Sequence, residues 1–216
     1  VISKPGLQRD GSLFDTDSYS EAEWCRFYRG RPKKMGGFRE MSRALAGIGR
    51  GMHVDTVNAY AYTHIGESDR LERLLVDVSD GNTSGLADRT PAAFASDANN
   101  LWQFDSEWDV GTTANFILAH AAPNMASIAN ETTGPLYYGN TTATAILTAV
   151  ASSSVSGGVV CLHPYTFIFG SDGYLAWSVA GAPTDFTGVG SGAVRPTASK
   201  IVRGLPLRAG PGNSPA

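Results

Sequence analysis

The sequence predicts an all-β fold built from repeated small sheets, and three observations support that prediction. Apolar residues make up 42% of the 216 residues, enough for a buried core, whereas charged residues make up only 17%. The apolar residues fall in short runs rather than in long helical stripes. Those runs end at turn residues, such as Asp80-Gly81 and the Gly-Ser-Asp-Gly sequence of residues 170–173.

Residues 1–47 are predicted to form an irregular, basic N-terminal segment, because glycine and proline interrupt every apolar run in it. One short helix is expected within it, over residues 20–29. Ser20 and Glu23 have the spacing of a capping box, and Trp24 and Phe27 lie three residues apart, so they share one helical face.

Residues 48–216 are predicted to contain three units of short strands. In the first unit, residues 51–65 and 70–78 read as strands on either side of a polar turn at 67–69. The second unit comprises strands at 101–108, 115–121 and 136–138. The stretch 143–152 is rich in alanine and threonine and is the one candidate helix in this part of the chain.

The third unit is predicted to be a β-hairpin. A strand over 159–169 is followed by the turn at 170–173, where Asp-Gly favours the positive φ angles of a tight hairpin, and a second strand returns over 174–179. Apolar side chains alternate at period two on both sides of the turn and are expected to share one buried face: Phe167, Phe169, Leu175 and Trp177.

The three units recur at offsets of about 50 to 60 residues, close to the length of a β-propeller blade. The sequence therefore predicts a β-propeller-like domain of about three to four blades over residues 48–216. Because closed propellers usually have more blades, the set is predicted to be incomplete in this chain.

Charge is distributed unevenly along the chain. Residues 1–50 contain ten Lys/Arg and six Asp/Glu, whereas residues 51–216 contain seven and fourteen. No lysine or arginine lies between Arg89 and Arg195. Such a stretch is typical either of surfaces that contact other subunits or line a cavity, or of a β domain with an acidic surface.

The N-terminal cations are interleaved with aromatic residues and form the strongest charged feature. They could contact phosphates or dock on an acidic protein surface, and the aromatic residues favour the protein surface. The interface candidates are Trp24, Arg26, Phe27, Arg29, Arg31, Lys33 and Lys34.

Motifs for catalysis, nucleotide binding or metal binding are largely absent, so no cofactor, metal or catalytic residue is predicted. The four histidines lack the spacing of metal ligands, and His120 and His163 are expected to be core residues. The best acidic set is Asp105, Glu107 and Asp109, which would share one face of a strand, opposite Phe104 and Trp108. Paired carboxylates can hydrolyse glycosides, but a solvated or partner-facing strand is the more common role for such a set.

Residues 24–38, which read WCRFYRGRPKKMGGF, resemble a segment near the start of certain bacteriophage virion proteins. Residues 102–108, 165–177 and 200–207 are similar to the same group, the nozzle or hub (DNA-stabilising) components of short-tailed phage tails. The resemblance implies a non-enzymatic, propeller-containing subunit of the virion tail. It also implies a ring of copies around the DNA exit channel, in contact with other tail proteins such as an adaptor or portal-side ring, fibre or needle.

Duplex DNA would pass such a ring without sequence-specific contact. An acidic or neutral wall would not bind its phosphates tightly, so acidic residues are expected to face the lumen and the N-terminal cations to lie away from it. The channel-lining candidates are Asp97, Asp105, Glu107, Asp109, Asp172 and Asp185. The alternatives are a propeller-type glycan-active enzyme and a glycan-binding module that exposes Trp102, Trp108 and Trp177.

Overall fold

The computed structural model shows an almost wholly β protein whose contacts divide it into two units, residues 1–41 and 42–216. The structure describes residues 4–7, 18–19, 23, 25–29, 31–36, 40, 44–92, 94–96, 100–122, 134–151, 155, 157–170 and 173–206.

The first unit contains two pairs of short strands. β1 (Lys4–Leu7) pairs in parallel with β2 (Ser18–Tyr19), and β3 (Cys25–Tyr28) pairs with β4 (Arg31–Lys34) as an antiparallel hairpin. The helix predicted over residues 20–29 is therefore wrong where the structure describes it. Exposed and half-buried side chains alternate along β3 at the period of a strand, and this outweighs the capping-box signal.

The first sheet of the second unit runs in chain order: β5 (Gly49–Val57), β6 (Tyr60–Glu67), β7 (Leu71–Asp77) and β8 (Ala87–Asp88). The strand predicted over 70–78 is confirmed. The run 51–65 is two strands rather than one, because a tight turn with Asn58 at φ 56° divides it. Asparagine tolerates this left-handed conformation better than most residues.

The second sheet comprises β9 (Leu101–Asp109), β10 (Ala114–Ala122), β11 (Tyr137–Asn140) and β12 (Thr148–Ala149). The three strands predicted in this unit are confirmed. The candidate helix over 143–152 does not form in its described part, residues 143–151, where a loop leads into β12. That stretch lacks an apolar stripe, so tertiary contacts decide its conformation.

The third sheet comprises β13 (Gly158–Leu162), β14 (Tyr165–Phe169), β15 (Leu175–Trp177) and β16 (Gly192–Val194). The predicted hairpin is confirmed by the antiparallel pairing of β14 with β15, although residues 171–172 of its turn lie outside the described residues. The strand predicted over 159–169 is divided by a turn at His163-Pro164, whose peptide bond is cis.

The face predicted for this hairpin exists, since Phe167 lies opposite Trp177 and Phe169 opposite Leu175. Phe169 is fully buried and the other three side chains are half-buried. The opposite face, with Ile168 and Ala176, packs into the apolar cluster shared with the second sheet.

The three sheets stack in blade-like fashion through their first strands, with β9 in contact with β5 and with β13. The second sheet contributes neighbouring side chains to two different apolar clusters, because strand residues alternate between faces. Ile117 joins a cluster with Leu71 of the first sheet, and Leu118 joins a cluster with Ile168 of the third. The all-β, blade-like fold predicted from the sequence is thus confirmed, with three four-stranded sheets in the described part of the chain.

Among the residues that the structure describes, no helix has the length and apolar character needed to cross a membrane.

Candidate functional site

The acidic residues of β9 join the second sheet to the third. Asp105 accepts a hydrogen bond from the Cys161 backbone N–H at 2.7 Å, and Glu107 contacts Nδ1 of His163 at 2.6 Å. Gln103, on the same face of the strand, donates to the Gly157 carbonyl. Because β13 is an edge strand, these side chains also satisfy backbone groups that no neighbouring strand pairs.

Asp105, Glu107 and Asp109 share one face of β9, as predicted, but the third sheet covers most of that face. Glu107 is 6% exposed and Asp109 is 9% exposed, so neither presents its carboxylate to solvent. Asp109 accepts bonds from the backbone N–H groups of Gly111 and Thr112 and closes the turn after β9. Glu107 and Asp109 are therefore engaged in contacts within the fold, whereas Asp105 is only half-buried.

The remaining channel-lining candidates are placed as follows. Asp185 is half-buried and accepts bonds from the backbone N–H groups of Thr187 and Gly188, which lower its pKa against a small opposing effect of burial. Asp105 is also half-buried, and Asp97 and Asp172 lie outside the described residues. The position of carboxylates along a lumen stays a prediction. Among the described residues, Asp105 and Asp185 are the candidates that are not buried.

The first strands of the three sheets and residues 202–206 surround a cavity of about 480 Å³. Its polar lining includes Arg50, His53, Gln103 and Asp105. Nε2 of His53 lies 3.2 Å from Oδ1 of Asp55. Burial opposes protonation of His53, but the hydrogen bond and charge of Asp55, with the charge of Asp105, outweigh it and raise the pKa of His53 above 6.5. The cavity therefore contains charges of both signs.

A buried cation that the sequence does not reveal joins the first sheet to the second. Arg89 is 1% exposed and donates from Nε to the Ala145 carbonyl at 2.9 Å and from Nη2 to the Asn140 carbonyl at 3.0 Å. Its Nη1 lies 2.8 Å from Nε2 of the fully buried His64. Burial and the Arg89 charge lower the pKa of His64 to about 3, so His64 is neutral and accepts from Arg89.

Arg73 makes a second contact of this kind, since its Nη1 donates to the carbonyls of Thr142 and Ala143 at 2.8 and 2.6 Å. The two arginines thereby hold the loop between β11 and β12. In the sequence, Arg89 stands among Asp88, Thr90 and Pro91 and has the character of a loop residue. No local pattern distinguishes such an arginine from an exposed one.

The interface candidates of the N-terminal segment occupy the β3–β4 hairpin. Arg26, Arg29, Arg31, Lys33 and Lys34 are exposed and Phe27 is half-buried, whereas Trp24 lies outside the described residues. Arg29, at φ 49°, begins the turn between the strands. The ring of Tyr28 lies 4.8 Å from Nζ of Lys33 and 5.3 Å from Cζ of Arg29, so one aromatic ring contacts two cations.

The remaining candidates divide between core and surface. His120 is fully buried as predicted, with Nδ1 3.2 Å from the Pro135 carbonyl oxygen, whereas the side chain of His163 is 62% exposed, so its assignment to the core was wrong. Trp102 is 5% exposed and cannot offer a glycan-stacking surface, although Trp108 is 47% exposed.

No three histidine, cysteine, aspartate or glutamate side chains of the described residues are grouped so that they could hold a metal ion.

Comparison with protein-family models, curated proteins and solved structures finds no match to this chain.

Proposed function

We propose that this protein is a non-enzymatic structural subunit of a short-tailed phage tail, in which copies form a ring, nozzle or hub, around the DNA exit channel. The proposal places the protein in the virion. Its partners there would be further copies, neighbouring tail proteins and the passing duplex.

One observation supports the structural part of this proposal: buried and half-buried polar groups form contacts that join the sheets. Asp105 and Glu107 bind backbone and imidazole groups of the third sheet, and Arg89 binds carbonyls of the second. A rigid stack of sheets with buried polar contacts is suited to transmit and resist force rather than to turn over a substrate. The resemblance of residues 24–38 and of three later segments to tail proteins supplies the specific assignment.

The exposed apolar side chains of the second unit are consistent with assembly. Met52 is 67% exposed and Val54 is 47% exposed on one face of β5, and Leu205 is 70% exposed. Apolar side chains exposed next to one another on a sheet face are typical of surfaces that contact other proteins.

The proposal is tested by measuring the mass of the purified chain in solution by light scattering over a range of protein concentrations. A ring predicts a particle several times heavier than the 22.8 kDa chain. Val54→Arg should reduce that mass, whereas Val189→Arg, a matched change at a fully exposed position, should not. A wild-type chain that stays monomeric at every concentration would contradict the ring.

A further inference from the structure

The register of the β3–β4 hairpin gathers cations on one face. Arg26 lies directly opposite Lys33, and Tyr28 lies opposite Arg31, so these four side chains point to the same side. All four are exposed. Arg29 lies at the adjoining turn and contacts the Tyr28 ring, which places it at the end of the same face. We name this set, Arg26, Tyr28, Arg29, Arg31 and Lys33, the basic ribbon face.

This arrangement opposes the folding of the hairpin that carries it. Like charges directly opposite each other on antiparallel strands destabilise the pair, and an isolated two-stranded hairpin is marginally stable. Among the described residues, no carboxylate lies within ion-pair distance of these cations. Lys33 and Arg29 contact the face of Tyr28 instead. An anion with closely spaced charges would remove the repulsion, so the ribbon has the properties of a polyanion-binding surface.

A second copy of the chain is a poor source of those anions. Residues 51–216 carry the acidic excess of the chain, but much of that charge is internal. Five of its carboxylates are less than 10% exposed and bonded within the fold: Asp55, Glu67, Glu72, Glu107 and Asp109. The half-buried Asp77 and the exposed Asp80 and Asp88 each accept bonds from a neighbouring turn residue.

A duplex phosphate backbone fits the ribbon better. It carries about one charge per 1.7 Å of helix axis. Cβ atoms of neighbouring positions on one face of a ribbon are about 5 to 7 Å apart, and the long side chains of arginine and lysine extend well beyond them, so several phosphates lie within reach of one face. The major groove of B-form DNA, about 12 Å wide, also admits a two-stranded β ribbon, whereas that of A-form RNA is too narrow for side chains to read.

We infer that the basic ribbon face binds the phosphate backbone of double-stranded DNA without reading its sequence. The ribbon would then touch the duplex. This replaces both the contact with a neighbouring subunit and the position away from the DNA that were expected from the sequence. The inference takes from the proposed function only the presence of DNA, because the ribbon and its cations do not depend on ring formation.

The test is fluorescence anisotropy of a labelled, random-sequence DNA duplex titrated with the full chain at two salt concentrations. With four phosphate contacts, the affinity should fall about 150-fold between 50 and 200 mM salt. The variant Arg26→Gln/Lys33→Gln removes two of the contacts, so its affinity should fall only about 12-fold over the same range. The control Arg195→Gln/Arg203→Gln, which removes two exposed cations of the other unit, should retain the wild-type salt dependence.

Three outcomes would overturn the inference: no binding to the duplex at low salt, a salt dependence that Arg26→Gln/Lys33→Gln leaves unchanged, or tighter binding to a polyglutamate peptide of equal charge. The last would identify an acidic protein surface as the partner. The melting temperature of each variant shows whether the fold is intact. Mass measurement separates this inference from the proposed function. A ring that does not bind DNA contradicts only the inference, and a monomer that binds DNA contradicts only the ring.

Discussion

Removal of the Arg89 guanidinium should destabilise the protein more than any other loss of a single cation in its described part. In Arg89→Met, the aliphatic part of the side chain is kept and three hydrogen bonds are lost, those to His64, Asn140 and Ala145. Nε2 of His64 then lies fully buried without its donor, and the two partly buried carbonyls lose their bonds to a charged group. The buried nitrogen contributes the largest share of the cost, because water does not reach it.

Two opposing effects set the size of the loss. Burial and, to a smaller extent, the Arg73 charge lower the pKa of Arg89 to about 10, which corresponds to about 3 kcal/mol against the charged side chain, and this cost disappears in the variant. Each hydrogen bond to a charged group contributes about 1.5 to 3 kcal/mol, and all three are lost. The bonds outweigh the cost, so the free energy of unfolding should fall by about 4 kcal/mol, the difference between these two effects.

The assay is urea unfolding followed by tryptophan fluorescence at neutral pH, with Arg195→Met as the control because Arg195 is exposed. Arg89→Met should lower the unfolding midpoint strongly and Arg195→Met should leave it nearly unchanged. Arg89→Lys should lose almost as much as Arg89→Met, since one ammonium cannot reach three acceptors on different elements. A loss below about 1 kcal/mol would refute the reasoning, because it would mean that the acceptors find other partners.

Three further predictions concern the sheets and their contacts. Burial and the Arg89 charge lower the pKa of His64 to about 3, and burial lowers the pKa of His120 to about 4. In the unfolded chain both imidazoles bind a proton at a higher pH than in the folded chain, so stability should fall as the pH decreases from about 6.5. Between about pH 7 and 5, each of these two histidines should lower the free energy of unfolding by about 2 kcal/mol, and the raised pKa of His53 should offset part of that loss. Urea unfolding at the two pH values measures the loss, and His64→Gln should remove about half of it. Gly66→Ala should lower the melting temperature, because a Cβ there would overlap the Trp102 indole, whereas Gly85→Ala, with open space around it, should not; equal effects would contradict this packing. Asp105→Ala should cost about 1 to 3 kcal/mol by leaving the Cys161 N–H unbonded, and Asp105→Asn, which retains an acceptor, about half as much; equal losses in thermal unfolding would contradict the assigned bond.

Much of the fold follows from local sequence. The strands around residues 101–121 and the hairpin before and after residues 170–173 were predicted because period-two apolar patterns end there at recognisable turn residues. Strand boundaries were missed where the turn carries no glycine, as at Asn58 and at His163-Pro164. The helix expected over 20–29 was wrong because a capping pattern is weak evidence when the apolar residues that follow also alternate at period two.

The functional contacts were less predictable, because they depend on which residues tertiary structure brings together. The shared face of Asp105, Glu107 and Asp109 was predicted from their spacing, since geometry within one strand is local. That this face lies against the third sheet depends on pairs 56 residues apart in the sequence. The contacts of Arg89 join residues 25, 51 and 56 positions apart, and no single-sequence pattern indicates them.

Electron microscopy of the purified assembly, with and without a DNA duplex, tests the central claim most directly. The proposed function predicts closed rings of copies with an open centre, and the DNA-binding inference predicts additional density for the duplex when DNA is present. Isolated 22.8 kDa chains, or assemblies that lack a central opening, would contradict it.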